Sequence, residues 1–321
     1  MWSIETAQTF PLASVKPLEG LLEYRGWCLQ ETRAAMRSGT QRRELSPVSG
    51  ARLEPAGDIA GFAYARCPTS GSLFLVDLPV SAQWAKLLSA VSRYRQSAET
   101  FHAGIAQTRN EHVHGPKIDW IRNTLRMERI EQPSMLEVVS PPSDVTRLLE
   151  ASDMVGSVTT INEMELLQSP ASGASQCDVA VLFESLDRVD DPVALLRTVM
   201  QRLAPGGLMF VTSLVCSGFD MAVLGLKNLY LYPPDRTNCF TLPSLEQLLH
   251  SAGLSLLEVS TPGVLDVEII QNHVRRDPEL PLSAFERQLL AADASTREAF
   301  QTFLQQNRMS SFARIIGRKQ P

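Results

Sequence analysis

The sequence predicts an α/β fold, a mostly parallel sheet with helices on both faces, preceded by a small β-ribbon and a helical linker. Two patterns predict it. From residue 131 onward, short apolar runs alternate with amphipathic segments, the repeat of a βα-wound sheet covered on both sides. Before them, two related turn units, Ser46-Pro47-Val48-Ser49-Gly50 and Cys67-Pro68-Thr69-Ser70-Gly71, each sit beside a strand-like piece, as in a ribbon with two knuckles.

Residues 1–44 form an N-terminal extension with a helix over Leu21 to Met36 and no evident chemistry. Residues 45–80 are the ribbon. Residues 81–130 place apolar side chains at three- and four-residue intervals and form the helical linker. The core, residues 131–276, carries the strands SMLEVVS, VGSVTTI, CDVAVLFES, LMFVTSLV and LSLLEVST with helices between them; Pro205-Gly206-Gly207 stops one helix. Residues 277–321 are a helical tail packing through Phe285, Leu289, Leu290, Phe300, Phe303 and Leu304, then a last strand. Parallel sheets of this kind bind ligands beyond the carboxyl ends of their strands, next to the first βα turn.

Composition narrows the function classes. A chain of 321 residues with 44% hydrophobic and 20% charged residues reads as globular. A net charge of −5 argues against a nucleic-acid partner, and the short clusters Arg42-Arg43 and Arg275-Arg276 read as solvated faces. The five cysteines are scattered with no CxxC pair, which fits reduced thiols in the cytoplasm. The N-terminus has acid and proline where a secretory signal has a basic start, and no apolar run is long enough for a membrane span.

The segments CDVAVLFESLDRVDDPVALLRTVMQRLAPGGLMFVTS, YPPDRTNCFTLPSLEQLLHSAGL, STPGVLDVEII and FQTFLQQNRMSSFARIIGRK resemble the class I S-adenosylmethionine-dependent methyltransferases, within them the bacterial members with a zinc ribbon ahead of the catalytic domain. The resemblance covers roughly residues 45–321. It implies a Rossmann-like sheet of seven strands and, for this subgroup, action on sugars or small cell-surface metabolites.

In that family the first strand ends in an acidic residue followed by three spaced glycines, which let the backbone approach the cofactor closely. Here Glu137 holds the acidic position, while Val139, Pro141 and Ser143 occupy the glycine positions and Ser140 lies between. Pro141 and Pro142 fix φ and remove two amide donors, so the pocket is expected to be narrowed. The second strand, Ser157 to Ile161, lacks the ribose-gripping carboxylate at its end; Glu163 lies further along. A shifted loop would have to hold the cofactor through Glu137, Asp178 or Glu184 instead.

The family's zinc knuckles correspond to Ser46, Ser49, Cys67 and Ser70. One thiol of four remains, so no zinc is expected, and the ribbon must be held by the main domain or a partner. The His112-x-His114 pair reads as a polar helix end. Where relatives carry catalytic histidines, this chain has Leu186-Asp187-Arg188 and Asp235-Arg236; Asp187 and Asp235 are the remaining candidate bases, although a loop carboxylate is usually a turn or cap residue. Pro205-Gly206-Gly207, Asn238 and Asp266 persist. The resulting expectation is a methyltransferase-like pseudoenzyme that binds no cofactor and acts as scaffold or regulatory subunit for a protein partner, such as an active relative. The alternative is an active S-adenosylmethionine-dependent methyltransferase on a sugar or small cell-surface metabolite.

Overall fold

The computed structural model describes residues 10–96, 104–139, 143–168 and 176–320. Its strands are β1 (Thr40–Arg42), β2 (Glu54–Ile59), β3 (Phe62–Arg66), β4 (Leu73–Leu75), β5 (Asp77–Pro79), β6 (Ser134–Val138), β7 (Ser157–Ile161), β8 (Cys177–Phe183), β9 (Leu203–Leu214), β10 (Asn238–Cys239), β11 (Leu254–Ser260) and β12 (Phe312–Lys319).

The central sheet runs β11-β12-β9-β8-β6-β7. Strands β7, β6, β8 and β9 are parallel, while β12 lies antiparallel to both β9 and β11. Among the described residues it has six strands.

Side chains alternate across this sheet, as a pleat of period two requires. Val179, Val181, Phe210 and Ile316 pack on one face with Trp120, Ile121, Leu125 and Leu149. Leu136, Val138, Ala180, Leu182 and Ile315 pack on the other with Leu195, Leu245 and Leu249. Both faces are covered, which is why the strands read as near-continuous apolar runs. The helix before β9 ends at Arg202, so Pro205-Gly206-Gly207 lies within the start of β9, where a Cβ on Gly207 would lie 2.9 Å from the carbonyl oxygens of Ala204 and Asp178, so only glycine fits.

The ribbon is a four-stranded sheet of order β10-β4-β3-β2, and its fourth strand comes from the core. Asn238 pairs with Phe74 and Cys239 with Leu73, while Phe74 and Phe240 meet edge to face at 5.9 Å. The two knuckle turns are alike: Gly50 N donates to Ser46 O at 2.9 Å and Gly71 N to Cys67 O at 2.8 Å.

Helix Leu18–Met36 and the linker helices Ser81–Gln96 and Gly115–Glu128 fold back over the core. In the tail, Leu289 and Leu304 are buried as expected, but Phe285 and Phe303 are exposed at 58% and 48%. Their rings pack on Phe300, at 5.8 and 5.9 Å, at the edge of the short helices instead of entering the core.

Candidate functional site

A cavity of about 430 Å³ lies beyond the carboxyl ends of the parallel strands. Val138 at the end of β6, Glu184 after β8, Leu214 at the end of β9 and Phe312 at the start of the antiparallel β12 all reach it. This is a volume in the range of small-molecule sites. The narrowing expected of Pro141 and Pro142 falls on residues that, with Ser140, lie outside the described residues.

The parts of the cofactor loop that are described are tied to one another. Glu137 is buried. Its Oε1 accepts from Ser143 Oγ at 2.9 Å and its Oε2 from Thr146 Oγ1. Ser143 in turn accepts from the amides of Val145 and Thr146, capping the helix Asp144–Glu150. Burial raises the Glu137 carboxyl above its ordinary range, against the pull of the two hydroxyls. The Val139 amide donates to Ile161 O at 2.9 Å and thereby extends the β6–β7 ladder.

Asp178 does not belong to this site. It stands at the amino end of β8, at the opposite end of the strands from the crevice, where it accepts from Ser134 N at 2.9 Å and Ser134 Oγ at 2.7 Å. Glu184, six positions on, is at the crevice, with left-handed backbone (φ 61°) at the strand end.

The two candidate bases are not loop-surface carboxylates. Asp187 is fully buried, accepting from Ser213 Oγ at 2.6 Å and Leu214 N at 3.0 Å; burial pushes it up to about 6, against the Arg236 guanidinium at 3.6 Å. Asp235 is buried at the cavity wall. Arg95 lies 2.6 Å from its Oδ2, and the Tyr24 and Tyr232 hydroxyls donate to the same oxygen at 3.1 and 3.3 Å. Burial raises this carboxyl, but Arg95, Arg188 and Arg236 outweigh it and hold it below its ordinary range.

The N-terminal extension, read as without chemistry, roofs the cavity with Val15, Lys16, Leu21 and Tyr24. Lys16 sits over the Tyr230 ring at 4.1 Å. From the linker come Arg109, His114 and the buried Lys117, whose Nζ is 3.7 Å from Glu184 Oε1 and 4.8 Å from the Phe183 ring centre. Arg236 Nη2 donates to Glu184 Oε2 at 2.6 Å. Glu163, judged too distant in sequence, is buried at the cavity with Arg188 at 3.8 Å.

Five cations thus act on Glu184: Arg236, Lys117, Arg188, Lys16 and Arg109. Although burial opposes it, Arg236, Lys117 and Arg188 hold this carboxyl well below its ordinary range. Burial draws both Lys16 and Lys117 down to about 8, and His114 to about 3, so the imidazole is neutral. The sequence carried one signal for Lys117: it shares a helical face with the buried Trp120, Ile121 and Thr124, where a lysine needs a partner.

In the ribbon, the four knuckle positions converge. Ser49 Oγ is 3.3 Å and Thr69 Oγ1 3.2 Å from Cys67 Sγ. Burial raises the thiol, but the hydroxyls of Ser49, Ser70, Thr69 and Ser46 bring it down to about 6. No cluster of three metal-ligating side chains occurs among the described residues. Asn238 and Asp266 are structural: Asn238 Nδ2 donates to Leu186 O and Val189 O, each at 2.8 Å, and accepts from Arg43, which is therefore not a solvated face. Asp266 accepts from Ser310 Oγ at 2.6 Å and Ser311 N at 2.7 Å.

Residues 129–259 match the methyltransferase domain family. Similar solved structures include the Burkholderia thailandensis 1,6-didemethyltoxoflavin-N1-methyltransferase (13% identity, 84% of this chain and 100% of that one, TM-score 0.42). A Mesorhizobium loti S-adenosylmethionine-dependent methyltransferase is similar at 14% identity over 61% of this chain and 96% of its own, TM-score 0.36. The complex containing the Haloferax volcanii Trm112 methyltransferase activator gives 14% identity, 67% and 93% coverage, TM-score 0.43. No curated protein matches. No helix among the described residues is long and apolar enough to cross a membrane.

Proposed function

We propose that this chain, whose residues 129–259 match the methyltransferase domain family, is a catalytically inactive methyltransferase-like protein that works as scaffold or regulatory subunit for a protein partner. The observation that carries this is the charge of the crevice. S-adenosylmethionine brings a sulfonium cation, and the crevice is already lined by the cations Lys16, Arg109, Lys117, Arg188 and Arg236, set against the ionised Glu184 and Asp235. Inside a cavity of reduced dielectric, one more positive charge is strongly opposed. The engagement of Glu137 by Ser143 and Thr146 supports the same reading, since the acidic residue at the first strand's end is already satisfied within the chain.

Calorimetric titration of the purified protein with S-adenosylmethionine tests it. No saturable heat is expected at micromolar concentrations; one-site micromolar binding overturns the reading. An active methyltransferase on a sugar or small cell-surface metabolite is the second reading, favoured by the open cavity and by the buried Asp235 Oδ1, which has no hydrogen-bond partner among the described residues. Methyl transfer to a metabolite extract, abolished in Glu137→Ala, would support that one.

A further inference from the structure

We propose that the crevice is a binding site for a small polyanionic molecule, a phosphorylated or polycarboxylic metabolite, held by Lys16, Arg109, Lys117, Arg188 and Arg236. This rests on the preceding reading that the crevice does not take a sulfonium cofactor.

The argument starts from cost. Burying a cation is unfavourable unless an anion and hydrogen bonds accompany it. Here the five come from three regions far apart in sequence, the N-terminal extension, the linker and the core, yet they line one cavity of about 430 Å³. Their direct carboxylate contacts are few. Glu184 serves both Lys117, at 3.7 Å, and Arg236, at 2.6 Å. Arg188 stands 3.8 Å from Glu163, which is longer than a hydrogen bond. Lys16 rests on the Tyr230 ring, and Arg109 donates to the backbone oxygen of Val15 at 3.2 Å.

The remaining nearby carboxylates do not restore the balance. Of those lining the cavity, Glu137, Glu163 and Asp220 are each shifted by burial towards the neutral form, Asp144 contacts Arg147, Asp266 is engaged by Ser310 and Ser311, and Asp235 is in direct contact with Arg95. Both Arg188 Nε and Arg236 Nε are buried without a hydrogen-bond acceptor among the described residues. A ligand with two or more negative charges supplies what is lacking, both the countercharge and the acceptors. The rings of Phe183, Tyr230 and Phe312 would flank its organic part.

The test is calorimetry and thermal shift at low ionic strength with two probes, inorganic pyrophosphate for a phosphorylated ligand and citrate for a polycarboxylic one. At least one should bind saturably, at one site per chain, and the one that does identifies the source. Affinity should fall at least tenfold in Lys117→Met and in Lys16→Met, the latter at the half-buried rim where folding is little disturbed. In Glu184→Gln it should be kept or rise, which a generally damaged site would not do. Absence of saturable binding by both probes, or unchanged affinity in both lysine variants, overturns the proposal. A parallel titration with S-adenosylmethionine separates the two readings: if the cofactor and a probe both bind, only the inactive assignment falls; if none binds, only the polyanion site does.

Discussion

Ser143 donates its hydroxyl proton to the buried Glu137 at 2.9 Å while accepting two amide protons at the start of the helix Asp144–Glu150. One side chain therefore caps a helix and satisfies a carboxylate at the end of β6. Replacing it by alanine removes the cap and leaves Glu137 with Thr146 as its remaining hydroxyl donor. Ser143→Ala is expected to lower stability by about 1–2 kcal/mol, read from the urea midpoint at unchanged slope.

A larger loss is expected at the pair between Arg95 and Asp235. The carboxylate is buried, and Arg95 is the cation in direct contact with it. Arg95→Met strands a negative charge and should cost about 3–5 kcal/mol, whereas Arg95→Met with Asp235→Asn should recover most of that loss. Equal destabilisation of the single and double variants would contradict this coupling.

The sheet was legible because its strands keep apolar side chains on both faces, a pattern that does not depend on distant parts of the chain. Glu137 and Glu184 stand at the carboxyl ends of recognisable strands, whereas Asp178 is the second residue of the strand that Glu184 follows and so stands at its far end. Lys16 and Arg109 escaped notice because single cations in helical segments normally face water. Only the folding of the extension and the linker across the strand ends brings them to Glu184. The exposure of Phe285 and Phe303 was hidden for the complementary reason, since a regular apolar spacing does not reveal where a helix overhangs the core.

Polyanion binding should weaken as the pH rises through about 8. Lys117 faces Glu184, Arg314, Arg109 and Arg188, and Lys16 faces Glu184, Arg109, Arg236 and Asp220; both lysines lose their proton near that pH. Asp220, raised by burial and by Asp266, adds negative charge in the same direction once ionised. Affinity for the bound probe is expected to drop about tenfold for each lysine neutralised. Stability moves the other way. The folded lysines release protons that the unfolded chain keeps up to its ordinary value of 10.5, so these two groups favour the folded state increasingly between pH 8 and 10.5. Calorimetry and denaturation over pH 7 to 10 would read both trends, and an affinity independent of pH would exclude the lysines as ligands.

The two knuckles keep matching backbone turns around Cys67, with Gly50 and Gly71 both at positive φ. Returning thiols to the other three positions should therefore recreate a closed tetrahedral set. The variant Ser46→Cys, Ser49→Cys, Ser70→Cys is expected to bind one zinc ion per chain, measured by elemental analysis, and to melt at a higher temperature with the metal than after chelation. A triple variant that stays metal-free would mean that the turns no longer stand at ligand distance.

Strand β10 gives the small ribbon sheet an edge that belongs to the core. An appendage of this size ordinarily depends on an ion to pin its loops, but here Asn238 and Cys239 act as a permanent splint supplied by the large domain. Excising residues 45–80 would strip a neighbour from those two residues and uncover Phe240, so the miniature sheet and its host are expected to melt in one transition.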